Sequence, residues 1–331
     1  MEALQQTLKF PVVGYRKENG FLGITGYDQR TDTLVIASKS MLDSEFAGWF
    51  REILEKELGE AGLERLYRIN RDLDASCVFE VIDVKRDPHM IKYERDGVVL
   101  LDVIRRAEKF EALPYKDLEQ VGKLLGCPVK ERSFNLDNPI AFERIVKRIE
   151  DRNFAIKGER TEGFVFEDQD GTMVKTKSGY YAFWKRMRGA KDYIIKAREA
   201  GKTYSAERYK DDPEAVAFVE FAMRQPTEAL MKDIITLREA YEQDPNCILP
   251  GSLTAEDMIR RKADEDRAKA LEGFSRGAAA VERQIQAGTA KEETIQKIID
   301  AAREDGGRMD VLSGMLGFSQ KIKENMAGRA R

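Results

Sequence analysis

A single histidine, His89, serves the whole chain of 331 residues. This excludes a histidine-rich metal centre and a two-histidine phosphoesterase, and no nucleophile motif accompanies His89 to build a Ser-His-Asp arrangement. It reads as a strand or turn residue without chemistry. Cysteine is also scarce: Cys77, Cys127 and Cys247 lie too far apart for a chelating spacing or a disulfide framework. They read as reduced, mostly buried thiols of a cytoplasmic protein. No apolar run approaches the length of a membrane span, and Met1-Glu2 opens no signal peptide. There is no excess of one charge either, with 56 basic against 59 acidic side chains and a net charge of −3. Global charge therefore does not announce a nucleic-acid partner, and recognition of phosphate must come from local patches.

Hydrophobic residues reach 42% and aromatic residues 9%, enough for a real core. Charged residues reach 35%, above the roughly 25% of an average domain, so the surface is dense in both signs. A chain of this length exceeds one usual core, and two domains are expected.

Gly20–Tyr27 and Thr33–Ser38 are β-rich and flank the turn-like Asp28-Gln29-Arg30-Thr31-Asp32, which predicts a hairpin. Ser44 can cap a helix running to about Leu58 and ended by Gly59. Cys77–Val84, His89–Tyr93 and Val98–Ile104 read as three further strands. Tyr115–Leu125 reads as a helix stopped by Gly126, and Asn138-Pro139 opens another. Gly163–Phe166 and Thr172–Thr176 form a second hairpin around Asp170-Gly171. After about Tyr180 the strand patterns vanish and helical segments follow one another between Pro-containing breaks. The pattern predicts an α+β fold, with one domain over 1–188 and an all-helical domain over 189–331. Within the latter, Ala255–Ala302 has the composition of a long helical hairpin.

Three short stretches carry chemistry as an ordered set. Lys17-Glu18-Asn19-Gly20 places a lysine on a short loop before a strand. Glu162-Gly163-Phe164-Val165 puts an acid at the head of another strand, and Lys175-Thr176-Lys177 puts two lysines on one strand face. A lysine attacks phosphorus only as the free amine, and its ordinary pKa of ~10.4 leaves under about one per cent in that form at neutral pH. Desolvation and neighbouring cations correct this, and Lys175 and Lys177 can also neutralise phosphate oxygens. If Glu162 pairs opposite Lys177, acid and lysines project to the same side. Glu80 lies in the apolar strand Val78-Phe79-Glu80-Val81-Ile82, where an acid needs a partner. Lys39 ends the second strand. A basic run, Lys185-Arg186-Met187-Arg188 and Lys191, follows Tyr180, Tyr181, Phe183 and Trp184. Aromatics beside cations can stack bases and hold phosphates, whereas Phe183 and Trp184 also fit the buried stripe of an amphipathic helix.

On these residues the chain resembles the RNA ligase 1 family of T-even phages and the ligase domain of fungal tRNA ligases, which are covalent nucleotidyltransferases. Lys17-Glu18-Asn19-Gly20 is similar to the family's Lys-x-[Asp/Asn]-Gly nucleophile motif, and Thr33–Lys39 to the strand and lysine after it. Phe79-Glu80-Val81 with Asp87–Ile91 resembles the third motif, Glu162–Val165 the fourth, and Val174–Tyr181 the fifth. The likeness covers roughly residues 15 to 190.

The resemblance implies two antiparallel sheets flanked by helices, with nucleotide between them, and an ATP-dependent ligase that joins RNA 5′-phosphate and 3′-hydroxyl ends in RNA repair or processing. Lys17 then forms lysyl-AMP, Asn19 belongs to the nucleophile motif at the cofactor, Glu80 contacts the ribose and Val165 packs on adenine. Glu162 holds Mg²⁺ (or Mn²⁺), Lys175 and Lys177 bind the α-phosphate, and Lys39 and Tyr181 support the site. Family members carry a longer upstream segment with an Arg-Gly element, whereas sixteen residues precede Lys17 here and Arg16 is their sole arginine. The expected remedies are a substitute from the basic run, a partner that supplies the element, or a preference for pre-adenylylated ends. The partners implied are RNA ends, with an end-healing kinase or phosphatase alongside. Two rival expectations are a nucleotidyltransferase with another acceptor and an end-binding subunit of a repair complex with weak or partner-dependent adenylylation.

Overall fold

The structure, a computed structural model, describes residues 8–254 together with 256, 257, 260 and 263. The chain divides into two compact units, Met1–Leu253 and Thr254–Arg331, and every element below belongs to the first. The expected helical hairpin over Ala255–Ala302 lies almost wholly outside the described residues.

Eight strands form two four-stranded antiparallel sheets among the described residues. The first holds β1 (Val12–Lys17), β6 (Arg132–Leu136), β7 (Gly163–Glu167) and β8 (Met173–Lys177), in the order β6-β1-β7-β8. The second holds β2 (Phe21–Asp28), β3 (Thr33–Ser38), β4 (Ala75–Ile82) and β5 (Gly97–Arg105), in the order β3-β2-β4-β5. The chain crosses from the first sheet to the second at Glu18-Asn19-Gly20, directly after Lys17.

Alternation along the strands decides which face each sheet buries. In the first sheet Val12, Leu136, Phe164 and Phe166 face helix α3 (Pro139–Ile149) and form a core with Phe142, Val146 and Ile149. Tyr15, Lys17, Val165, Lys175 and Lys177 take the opposite face, because Tyr15 pairs with Val165, Lys17 with Gly163, and these with Lys175 and Lys177. In the second sheet Ile36, Cys77, Phe79, Val81 and Leu100 pack under helices α1 (Glu45–Asp72) and α2 (Tyr115–Leu125), against Phe50, Leu54 and Leu118. Leu22 and Glu80, paired across β2 and β4, take its other face. The two faces turned away from the helices are bridged by Lys17 with Glu80 and by Lys130, which contacts Asp102 and Glu167. They form the walls of a cleft.

A third core belongs to the helices after β8: α4 (Gly179–Glu199), α5 (Pro213–Arg224), the short α6 (Thr227–Leu230) and α7 (Ile234–Glu242). Residue 188 lies inside α4. Phe183 and Trp184 are buried here, as the amphipathic pattern predicts, with Phe218, Leu237 and Tyr241. Met90 and Ile91 of the loop between β4 and β5 join this core, and buried Arg238 donates to the Met90 carbonyl at 2.8 Å. The helices therefore brace that loop.

Four sequence expectations need correction. His89–Tyr93 forms no strand, since both edges of β4 are already taken by β2 and β5, and its apolar residues turn into the helical core. Gly59 does not end a helix; it takes φ +63° at a kink, and α1 resumes to Asp72. Lys17 is the last residue of a strand rather than part of a loop. The register of the second hairpin sets Gly163, not Glu162, opposite Lys177. Among the described residues no helix is long and apolar enough to cross a membrane.

Candidate active site

Four charged side chains of the set converge at the mouth of the cleft. Lys17 Nζ lies 3.0 Å from Glu162 Oε2 and 3.9 Å from Glu80 Oε1, and it donates to the Glu18 carbonyl at 3.1 Å. Lys177 Nζ lies 3.2 Å from Glu162 Oε1, so one carboxylate bridges two ammonium groups. Exposure is graded: 5% for the Glu162 side chain, 11% for Glu80, 25% for Lys17 and 34% for Lys177. The acids form the floor and the lysines face the opening.

Backbone geometry explains the two glycines of the motifs. A Cβ on Gly20 would lie 2.2 Å from the Val81 carbonyl oxygen, so only glycine lets the Lys17 loop approach β4. That approach brings the Gly20 N–H to 2.9 Å from Glu80 Oε1. At Gly163 a Cβ would meet the Thr176 carbonyl oxygen at 2.0 Å. Glu162 therefore stands just outside β7, its carbonyl accepting from Ser178 N–H, and its side chain turns to Lys17 and Lys177.

The loop is held by further bonds. Asn19 Nδ2 donates to Glu162 Oε2 at 2.9 Å, and its Oδ1 accepts from Ile91 N–H at 3.3 Å. The Tyr93 hydroxyl accepts from Asn19 N–H at 2.7 Å and donates to Glu18 Oε2 at 2.9 Å. Tyr93 and Glu18 escaped sequence reasoning. The available signal was an aromatic between two charged residues in Lys92-Tyr93-Glu94, hidden by assigning the stretch to a strand.

Burial pushes Glu80 up from the ordinary carboxylate range, more than the Lys17 ammonium and the Gly20 N–H draw it down. Burial likewise raises Glu18, against Arg16 and the Tyr93 hydroxyl. Burial and the neighbouring Glu18 push the Tyr93 phenol far up, so it is a neutral donor at any ordinary pH.

The structure thus brings together Lys17, Asn19, Glu80, Glu162 and Lys177, with Tyr181 beneath them, since Lys177 Nζ sits 4.6 Å from its ring centroid. Val165 and Lys175 lie on the same sheet face, further along the cleft. Lys175 and Lys39 are exposed, and among the described residues no ion pair or hydrogen bond joins either to the cluster. Arg16 points to the other face of its sheet, where it pairs with Glu159 at 2.7 Å and with Glu18 at 3.4 Å. His89 sits 3.0 Å from Asp87 in the loop after β4.

No group of three or more His, Cys, Asp or Glu side chains among the described residues forms a metal-binding cluster. The donor set, a lone buried carboxylate with Glu80 nearby, fits a Mg²⁺ ion that takes most of its ligands from phosphates and water. It does not fit an ion held by protein alone.

No curated protein matches the chain. Among solved structures it is similar to Naegleria gruberi RNA ligase with PPi, at 16% identity and a TM-score of 0.43, over 54% of this chain and 53% of that one. It is similar to an archaeal ATP-dependent RNA ligase at 14% identity and a TM-score of 0.45, over 83% and 63%. It is also similar to a putative ATP-dependent DNA ligase from Aquifex aeolicus at 15% identity and a TM-score of 0.43, over 73% and 64%. The chain spans about half the length of the Naegleria enzyme. The RNA ligase family model matches residues 1–186, more than half of the chain and all of the motifs in the cleft. The chain belongs to the RNA ligase family.

Proposed function

We propose that this protein is an ATP-dependent RNA ligase that joins 5′-phosphate to 3′-hydroxyl ends through a lysyl-AMP intermediate. The observation that carries the reading is the convergence of Lys17, Glu80, Glu162 and Lys177 within one network, in a chain of the RNA ligase family.

Lys17, as the free amine, attacks the α-phosphorus of ATP. The N–P bond forms as the P–O bond to pyrophosphate breaks, and the amine releases a proton. A 5′-phosphate oxygen of RNA then attacks the same phosphorus and frees Lys17. Finally a 3′-hydroxyl attacks the activated 5′-phosphorus, closing the phosphodiester and expelling AMP. The protein contributes positioning and charge. Lys177 and Lys175 neutralise α-phosphate oxygens, Glu80 accepts a ribose hydroxyl, and Val165 packs on the adenine. Lys39 and Tyr181 support the pocket, and Asn19 holds the loop. Glu162 would hold Mg²⁺, directly or through water. The ion, when bound, shares the phosphate charge. The helices that follow residue 188, through α7, serve as a helical module that braces the loop of Met90 and Ile91 beside this site.

The test is joining of a 5′-phosphorylated RNA to a 3′-hydroxyl end, with ATP and Mg²⁺, by the parent and Lys17→Ala. The reading predicts that the substitution abolishes joining from ATP and leaves residual sealing of a pre-adenylylated strand. Unchanged joining by Lys17→Ala overturns it.

A further inference from the structure

One cation next to the cluster, the exposed Lys185, is in no ion pair among the described residues. Lys185 stands one helical turn beyond Tyr181 on α4, the residue whose ring underlies Lys177. Lys177 is the largest influence on it and pushes its pKa down, and Arg188 adds in the same direction. Glu162 opposes this shift only weakly, and it is already engaged by Lys17 and Lys177. Among the described residues no ion pair engages Lys185, although its neighbour Arg186 is paired with Asp212. Lys177, Lys185 and Arg188 thus run from the mouth of the cleft along one side of α4, and like charges so close repel one another unless an anion lies between them.

We propose that Lys185, with Arg188 beyond it, forms a phosphate-binding site adjoining the α-phosphate position at Lys177, which takes a second phosphate group of the reactants. The inference rests on the ligase reading for the identity of that phosphate, and two sources share the chemistry. The terminal phosphates of ATP reach it if pyrophosphate leaves along α4. The 5′-phosphate of RNA reaches it if the strand enters there. In the first case Lys185 supplies a cation that Arg16, turned to the opposite sheet face, does not.

The first measurement is titration of inorganic tripolyphosphate into the protein, which needs no turnover. Lys185→Ala is expected to weaken its binding about tenfold, the size of one charged hydrogen bond, and Lys185→Arg to restore it. An unchanged dissociation constant in Lys185→Ala overturns the proposal. So does a loss that Lys185→Arg fails to recover, which marks a structural role. Two kinetic arms then separate the sources. A rise in the KM for ATP during lysyl-AMP formation, with AMP transfer to 5′-phosphate RNA intact, assigns the site to the ATP phosphates; the reverse assigns it to RNA. If the parent binds tripolyphosphate through Lys185 yet forms no lysyl-AMP, the ligase reading fails and the phosphate site stands.

Discussion

Tyr93→Phe removes one oxygen atom and leaves the ring in place, so it isolates what the hydroxyl does for the loop after Lys17. That hydroxyl makes a neutral bond with Asn19 N–H at 2.7 Å and a charge-assisted bond with Glu18 at 2.9 Å. Net values of about 1 kcal/mol for the first and about 1.5 kcal/mol for the second, less what Arg16 retains on Glu18, give a loss of about 2 kcal/mol. Both bonds fall on the two residues that follow Lys17, so the loss bears on the placement of its amine. If all of it enters the barrier, lysyl-AMP formation slows by roughly 30-fold. The phenol is neutral throughout the working range, so the substitution removes a hydrogen-bond donor and acceptor and no charge. The assay is single-turnover formation of the AMP adduct at saturating ATP. A variant within about threefold of the parent refutes the positioning role.

Three further outcomes follow from the geometry. Glu80→Gln keeps an acceptor for Gly20 N–H and removes a buried charge whose pKa is raised on folding. The parent loses stability as pH rises through and above the ordinary carboxylate range, so the variant should be the more stable at pH 7–8. That gap should close below about pH 4 in denaturant titrations, and the proposed ribose role of Glu80 predicts that activity falls roughly 30-fold as the charged acceptor becomes a neutral one. Gly20→Ala drives a methyl into the Val81 carbonyl and should cost about 2 kcal/mol together with most adduct formation; wild-type stability by thermal melting would refute the close-approach argument. Burial opposes ionisation of Asp212, but Arg152 and Arg186 more than offset it and hold the group at about 2. Its contribution, roughly 2 kcal/mol at neutral pH, should be lost as pH falls from about 4 towards 2, and Asp212→Asn should flatten that acid limb.

Much of this arrangement is legible in the sequence because it is local. The Gly20–Ser38 hairpin, β5, the Tyr115–Leu125 helix and the Asp170-Gly171 turn carry their own periodicity and turn chemistry, and each lies within a residue or two of its expected place. Strands β1 and β6 carry little such signal. Val12–Lys17 holds a glycine and two cations, and Arg132–Leu136 is a polar edge strand. Both exist through pairing across the chain, Val12 with Leu136 and Lys17 with Gly163. The strand expected at His89–Tyr93 fails for the converse reason, since apolar residues without a free sheet edge are buried elsewhere. Among site residues, Lys17, Glu162 and Lys177 could be read from motif spacing. The bonds of Tyr93 to the loop after Lys17 and the position of Lys185 beside Lys177 depend on a loop packing and a helix direction that no spacing encodes.

The central claim is that Lys17 becomes covalently adenylylated. The most direct measurement is the intact mass of the protein after incubation with ATP and Mg²⁺, beside Lys17→Ala. The account predicts a gain of one AMP in the parent only, stable to base and lost in acid, as a phosphoramidate requires. An unmodified parent, first stripped of bound nucleotide, or an equal adduct on Lys17→Ala, would contradict it.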